Sequence, residues 1–461
     1  MRALLLKVWN SVTDSYWAVP TLMTVCAGLL AVVLVQMELH GWLPQMSGLV
    51  WIDSTEPEGV RTLLGAIAGS MITVAGVTFS MTLVALSYAA GQVGPRLLNN
   101  FMRDRGNQIT LGVFISTFLY CVLVLRTIHA GEAADADVPL AQKAFVPEIA
   151  VLVAMALAVA SIGVLIYFIH HIPESIHMSN IVARVGREMQ DEVERRFPGR
   201  IGSAPPSAGE GGVGRRVVEP EVPAWFRGQS APVPARVRGY VQVLDAERLM
   251  EEAVAHDLVL RLHHRPGDFV HRGAPLMRVS PQTALTPELA DRLHAAYVCG
   301  SQRTSHQNLL FMVDQLVEVA NRALSPGVND PFTACSCIDW LTDALVSIAN
   351  NAPPDARRYD ANGRLRVLAS ASGFETFASA VFDQIRPYAA GDRIAALRLM
   401  AAAGTACMLI DSPRHRRTLV RHARRLRLHA RQALGSAADV ADLVDANRRV
   451  LRLARDPDSE P

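Results

Sequence analysis

Thr62-Leu-Leu-Gly-Ala-Ile-Ala-Gly69-Ser-Met-Ile-Thr73-Val-Ala-Gly76-Val-Thr78-Phe-Ser80-Met-Thr82-Leu-Val-Ala85-Leu-Ser87-Tyr-Ala-Ala-Gly91-Gln-Val-Gly94-Pro95 runs for 34 residues without a charged side chain. About 20 apolar residues cross the hydrocarbon core of a bilayer as an α-helix, so the stretch predicts a spanning helix with length to spare. Its composition does not suit a helix that meets only lipid. Gly69, Thr73, Gly76, Ser80, Ser87, Gly91 and Gly94 follow in steps of 4, 3, 4, 7, 4 and 3, which holds them to one helix face. Thr78, Thr82, Ala85, Ala89 and Gln92 form a second stripe. Small residues let helices approach closely in lipid, where no hydrophobic force drives them together. Two readings follow. The helix is central and packed against its neighbours, or it lines a pore with its hydroxyls and glycine backbone toward water. A four-helix protomer has little room for a channel of its own, so the pore reading requires a homo-oligomer.

Three more uncharged runs flank this one: Ser15–Met37 with 23 residues, Gly106–Leu125 with 20 and Ile149–Ile169 with 21. With 62–95 they predict a four-span domain over residues 1–172. Arg2 and Lys7, then Arg96, Arg103 and Arg105, then Arg184 and Arg187, all fall on one side, while Glu38, Asp53, Glu56, Glu58, Glu132, Asp135 and Asp137 fall on the other. Basic loops stay in the cytoplasm, so both termini are expected there, with the protein in a bacterial inner membrane. The absence of Asp, Glu, Lys or Arg from every span speaks against a proton relay or coupled transporter, which needs an ionisable group in the membrane. His170, Glu174 and His177 stand at i, i+4 and i+7 just past the fourth span. They are weak candidates for a metal, because Pro173 disturbs the helix; solvent-touching interfacial histidines are the expectation.

Beyond the membrane the chain reads as an amphipathic helix over 173–200 and a Gly-, Pro- and Ser-rich linker over 201–234. A small β-module is expected over 235–281 and a cytosolic helical domain over 282–461. Val237, Gly239, Val241 and Val243 alternate as in a half-buried strand, and so do Leu258, Leu260 and Leu262. A short helix is expected over 246–255. Arg265-Pro-Gly-Asp268 has the type II turn preference, with Pro at its second position and Gly at its third. Asn308 to Leu324 has one apolar face. Ser325-Pro-Gly327 ends that helix, and Asp330 with Pro331 starts another as N-cap and first residue. Arg322, Asn329 and Asp330 thus mark a corner where an anion or small ligand would meet a helix N-terminus; a purely structural corner is the plainer reading. In Pro413–Gln432, eight arginines share a helix with His415, His422 and His429, while Leu419, Ala423, Leu426 and Ala430 make an apolar face. A solvated or intersubunit face is expected there, with an anionic membrane surface as the alternative. The fold class is therefore mainly α: four transmembrane helices, a small barrel-sandwich-like β-module and a C-terminal helical domain.

Two resemblances sharpen this. Pro266-Gly-Asp-Phe-Val270, continued by Gly273-Ala-Pro-Leu276, resembles the turn of lipoyl and biotinyl carriers. Those carriers load a lysine, and the only lysines here are Lys7 and Lys143, so no swinging arm is possible. Gly69–Leu86, Gly94-Pro-Arg-Leu-Leu98, Trp17–Pro20, Phe168-Ile-His-His171, Arg265–Val270 and Ala323-Leu-Ser-Pro-Gly-Val-Asn-Asp-Pro331 resemble the bacterial membrane-protein family catalogued as domain of unknown function 2254. The resemblance covers nearly the whole chain. It implies a multi-pass membrane protein and transfers no activity or catalytic residue.

Chemistry is sparse. No phosphate-binding loop, nucleophile elbow, H-E-x-x-H or paired-carboxylate motif occurs. The six cysteines have no zinc or disulfide spacing. Neither an enzyme nor a cofactor is expected. A net charge of +2 and a preference for arginine over lysine that reads as genome bias give no case for nucleic acid. The expected partners are the lipid bilayer, further copies of the chain, and an ion or small anionic solute. A homo-oligomeric channel is the leading functional expectation; a membrane-anchored scaffold or sensor is the other.

Overall fold

Four long helices make up the first unit: α1 (Ala18–Leu39), α2 (Pro57–Val93), α3 (Arg105–Thr127) and α4 (Glu148–Ile176). The computed structural model describes residues 16–40, 42, 57–93, 104–128, 145–196, 222–305, 307–351 and 355–457. They fall into two units that divide between His177 and Met178. The four spans read from the sequence are these four helices.

Their roles are not those the composition suggests. Over its most apolar stretch α3 is 56% buried, against 22% to 28% in each of the others. The helix at the centre is therefore the third span, not the small-residue second one. Glycine explains how α3 fits there. Carbon added at Gly112 would lie 2.6 Å from Met23 Sδ and 3.3 Å from the Pro20 backbone of α1, and carbon added at Gly28, about two turns along α1, would meet Leu119 and Leu123 of α3. Polar bonds then knit α3 to α4 along their length. Asp104 meets His171 at one end, Thr117 and Ser161 hydroxyls lie 3.4 Å apart midway, and Tyr120 Oη donates to the Ala150 carbonyl at 3.0 Å. At that last level the Ala150 N–H donates to Glu38 Oε1 at 2.8 Å, so a carboxylate from the end of α1 occupies the N-terminus of α4.

The second unit starts with α5 (Met178–Arg196), which follows α4 after the single residue His177. Val182, Val185, Met189 and Val193 form its buried stripe. Two short sheets come next, built from β1 (Ala231–Pro234), β2 (Gly239–Leu244), β3 (Val259–Leu262), β4 (Phe269–Val270), β5 (Pro275–Ser280), β6 (Tyr297–Gly300), β7 (Arg357–Tyr359) and β8 (Leu365–Ala369). One sheet has the order β1-β5-β3-β8-β7, with β3 and β8 parallel and the other pairs antiparallel; the second has the order β4-β2-β6. Val241, Leu249, Leu260, Met277, Val279 and Leu293 fill the core between them.

The domain boundaries shift accordingly. The linker expected over 201–234 already contains β1 and a one-turn helix, α6 (Ala224–Gly228), whose Phe226 is buried. The β-module expected over 235–281 is completed by β6, β7 and β8, from the stretch expected to be helical. Strand pairing across a hundred residues leaves no local mark, because each of these strands is only three to five residues long. Local signals did hold. Helix α7 (Ala246–Ala255) has Asp245 as its cap, and Gly267 has φ +97° in a turn closed by Asp268 N–H to the Arg265 carbonyl at 3.1 Å. A short helix, α8 (Pro287–His294), packs beside α7.

The remainder is a helical layer: α9 (Leu309–Ala323), α10 (Pro331–Asn350), α11 (Phe374–Ala389), α12 (Arg393–Leu409), α13 (Pro413–Ala433) and α14 (Ala437–Arg455). Helix α10 is also long and apolar enough to cross a membrane. It is instead a core helix of this unit. Its Cys337, Ile338, Leu341, Leu345 and Ile348 are buried against neighbouring helices, and its Asp339 and Asp343 pair with Arg398 of α12 and Gln190 of α5. Two carboxylates in midspan would be costly in lipid.

Candidate functional site

Helix α2 presents three distinct faces. Val60, Leu64, Ala68, Ala75, Thr78, Thr82 and Ala85 are buried inside the unit. Thr78, Thr82 and Ala85 belong to the second stripe read from the sequence, so that part of it packs within the protomer; the side chains of Ala89 and Gln92 lie outside the described residues. Leu63, Val77, Met81, Val84 and Tyr88 are exposed bulky side chains of the kind lipid solvates. The first stripe lies opposite the packing face. Gly69, Thr73, Gly76, Ser80, Ser87 and Gly91 are all exposed, and no described residue lies within 4 Å of a carbon added at Gly65, Gly69, Gly76 or Gly91. Gly94 lies outside the described residues. Thr73 Oγ1 donates to the Gly69 carbonyl at 2.8 Å, and Ser80 Oγ to the Gly76 carbonyl at 2.9 Å. Turned inward in this way, the hydroxyls satisfy themselves and leave a shallow, nearly flat surface for a neighbouring helix.

Among the described residues, an acid–imidazole side-chain pair ties two spans together at the start of α3. Asp104 is its N-cap: Oδ1 accepts from Gly106 N–H at 2.9 Å, while Oδ2 lies 2.8 Å from His171 Nε2. The carboxylate is 9% exposed and the imidazole 21%. His171 stacks on Tyr167 one turn earlier in α4, with centroids 5.0 Å apart. Gly106 makes room for this, since a carbon there would stand 2.7 Å from His171 Nε2 and 2.8 Å from Tyr167 Oη. Asn107, one residue on, is 2% exposed, and neither atom of its amide has a partner among the described residues. Sequence reading passed over Asp104 and Asn107, because a lone Asp beside a run of arginines looks like loop. The signal available was Asp-x-Gly at the mouth of an apolar run, which is a helix start.

The weak metal candidates separate. His170 and Glu174 approach to 3.4 Å but are 80% and 62% exposed, and His177 is the exposed residue between α4 and α5. No group of three metal-ligating side chains occurs among the described residues. At the other candidate, Asp330 caps α10 itself: Oδ1 accepts from Thr333 N–H at 3.1 Å and Oδ2 from Thr333 Oγ1 at 2.5 Å. Asn329 has φ +51°, and Arg322 sits in the last turn of α9. A carboxylate therefore already occupies the helix N-terminus where an anion would bind, and the arrangement is that of a corner. Two of the thiols are withdrawn from reaction: burial pushes Cys337 up and Cys407 to about 12.

The profile of the family described as "Predicted membrane protein (DUF2254)" matches residues 13–405. The chain belongs to this family. Uncharacterized proteins of Mycobacterium bovis and of two Mycobacterium tuberculosis strains are each 32% identical to it over 361 residues, 76% of this chain and 65% of theirs. The chain thus spans just under two thirds of the length of these relatives. No solved structure matches it. Membership makes the chain a predicted membrane protein with several helices long and apolar enough to cross a bilayer, and the match runs through both units, from before α1 to within α12.

Proposed function

We propose that this DUF2254 protein is a homo-oligomeric channel or pore-like protein of the bacterial inner membrane, assembled through the outward stripe of α2. The supporting observation is the division of labour on that helix. Its packing face is used, its bulky face suits lipid, and the Gly69–Gly91 stripe is left as a smooth surface without a partner among the described residues. Close helix contact in lipid needs such a surface, and a ring of such helices about one axis yields an uncharged pore. Both termini lie in the cytoplasm on this reading, and the role is non-enzymatic. The test is solute flux from liposomes containing the protein, with Thr73→Trp and Ser80→Trp as blocking variants. Flux that the two variants abolish supports the pore. Flux absent under every applied voltage, tension and salt gradient removes it.

A second reading, a membrane-anchored sensor, draws on the His171–Asp104 pair. It lies six residues before His177, and α5 begins at the next residue and is packed into the helical unit. Gly186 of α5 takes the flat face of Trp340 from α10.

A further inference from the structure

Helix α13 carries a charged face that no described residue neutralises. Its inner side, Leu419, His422, Ala423, Leu426 and Ala430, is buried. Arg414 and Arg425 flank that side and are paired with Glu375 and Asp383. On the outer side Arg417, Arg421, Arg424, Leu428 and Arg431 follow in steps of 4, 3, 4 and 3, and all five are exposed. None of the four arginines makes a hydrogen bond or ion pair with a described residue. At about 1.5 Å per residue the row is about 21 Å long.

We propose that this row is a docking surface for anionic phospholipid, which lays α13 on the membrane that anchors the chain. Charge complementarity selects the partner class: four unneutralised guanidiniums in a line match a sheet of phosphate groups, each fork taking a phosphate. Leu428 selects lipid within that class. It is 56% exposed, stands between Arg424 and Arg431, and has nothing to bind on a nucleic acid backbone. At a bilayer surface its side chain enters the headgroup boundary while the arginines stay at phosphate level. The four spans hold the second unit near a bilayer at all times, so even modest affinity suffices.

The test uses the full chain in nanodiscs, with the photoreactive residue benzoylphenylalanine in place of Leu428. Phosphatidylcholine discs with and without phosphatidylglycerol are illuminated and adducts are read by mass spectrometry. Lipid adducts are expected in the anionic discs. Their yield is expected to fall on the order of tenfold in pure phosphatidylcholine or at high salt, and likewise with Arg417, Arg421, Arg424 and Arg431 all changed to Glu. The same probe at Ile394, which is exposed but off the row, controls for loss of fold and gives an adduct yield indifferent to lipid charge. Equal yields in the two lipids, no lipid adduct, or adducts to a second copy of the chain would each overturn the proposal.

Discussion

His171 Nε2 lies 2.8 Å from Asp104 Oδ2, joining the end of α4 to the first residue before α3. Both groups are largely withdrawn from water, and Asp104 also caps α3. A charge-assisted bond of this kind contributes about 1.5–3 kcal/mol. His171→Leu is expected to lower the thermal midpoint of the purified protein. Asp104→Asn keeps a good N-cap while losing the charge, so it is expected to fall between the two. A His171→Leu midpoint equal to wild type would show that the pair holds nothing.

Glycines of the spans divide into two classes. In Gly76→Leu the added Cβ meets no described atom within 4 Å, whereas in Gly106→Leu it runs into His171 and Tyr167. The first variant is expected to give folded protein of reduced oligomeric order by native mass spectrometry. The second is expected to reduce the yield of folded protein itself. An unchanged oligomer with Gly76→Leu would place the assembly face elsewhere.

His422 predicts a pH dependence. Its ring is 2% exposed and stacked on Phe382, with Nδ1 3.5 Å from Asp383. Burial holds its pKa below the ordinary value; Asp383 opposes this, and Arg421 and Arg425 reinforce it. A depressed histidine favours the unfolded state on acidification, because the unfolded chain binds the proton first. Stability is thus full above the unfolded pKa of about 6.5. It declines as pH falls below that and levels off once the folded group titrates. His415, stacked on Phe374, is shifted down as well and adds in the same sense. In His422→Phe the loss between neutral and mildly acidic pH, followed by hydrogen exchange of α13 amides, is expected to be smaller than in wild type.

Asp330 is expected to act as a cap. Asp330→Ala should speed amide exchange in the first turn of α10 by an amount matching about 1 kcal/mol, and Asp330→Asn should restore most of it. Tight binding of inorganic phosphate by the wild-type protein, lost in the alanine variant, would instead make the corner a ligand site.

Much of this protein was legible in its sequence. Hydrocarbon thickness and the cost of charge in lipid set the four spans. Asp330 with Pro331 set the start of α10, apolar periodicity set α9, and Pro266-Gly267 set the turn. These are local effects, decided within a few residues. The tertiary structure decided what depends on partners. It made α3 the central helix, because Gly106, Gly112 and Gly28 permit close approaches that no single run reveals. It joined β8 to β3 across a hundred residues. On α2 it separated two stripes of the same composition. Thr78 and Thr82 went into the protomer, and Gly69 through Gly91 were left facing out. Small residues permit contact equally well with any helix, so only the placement of the neighbours shows which face is already taken.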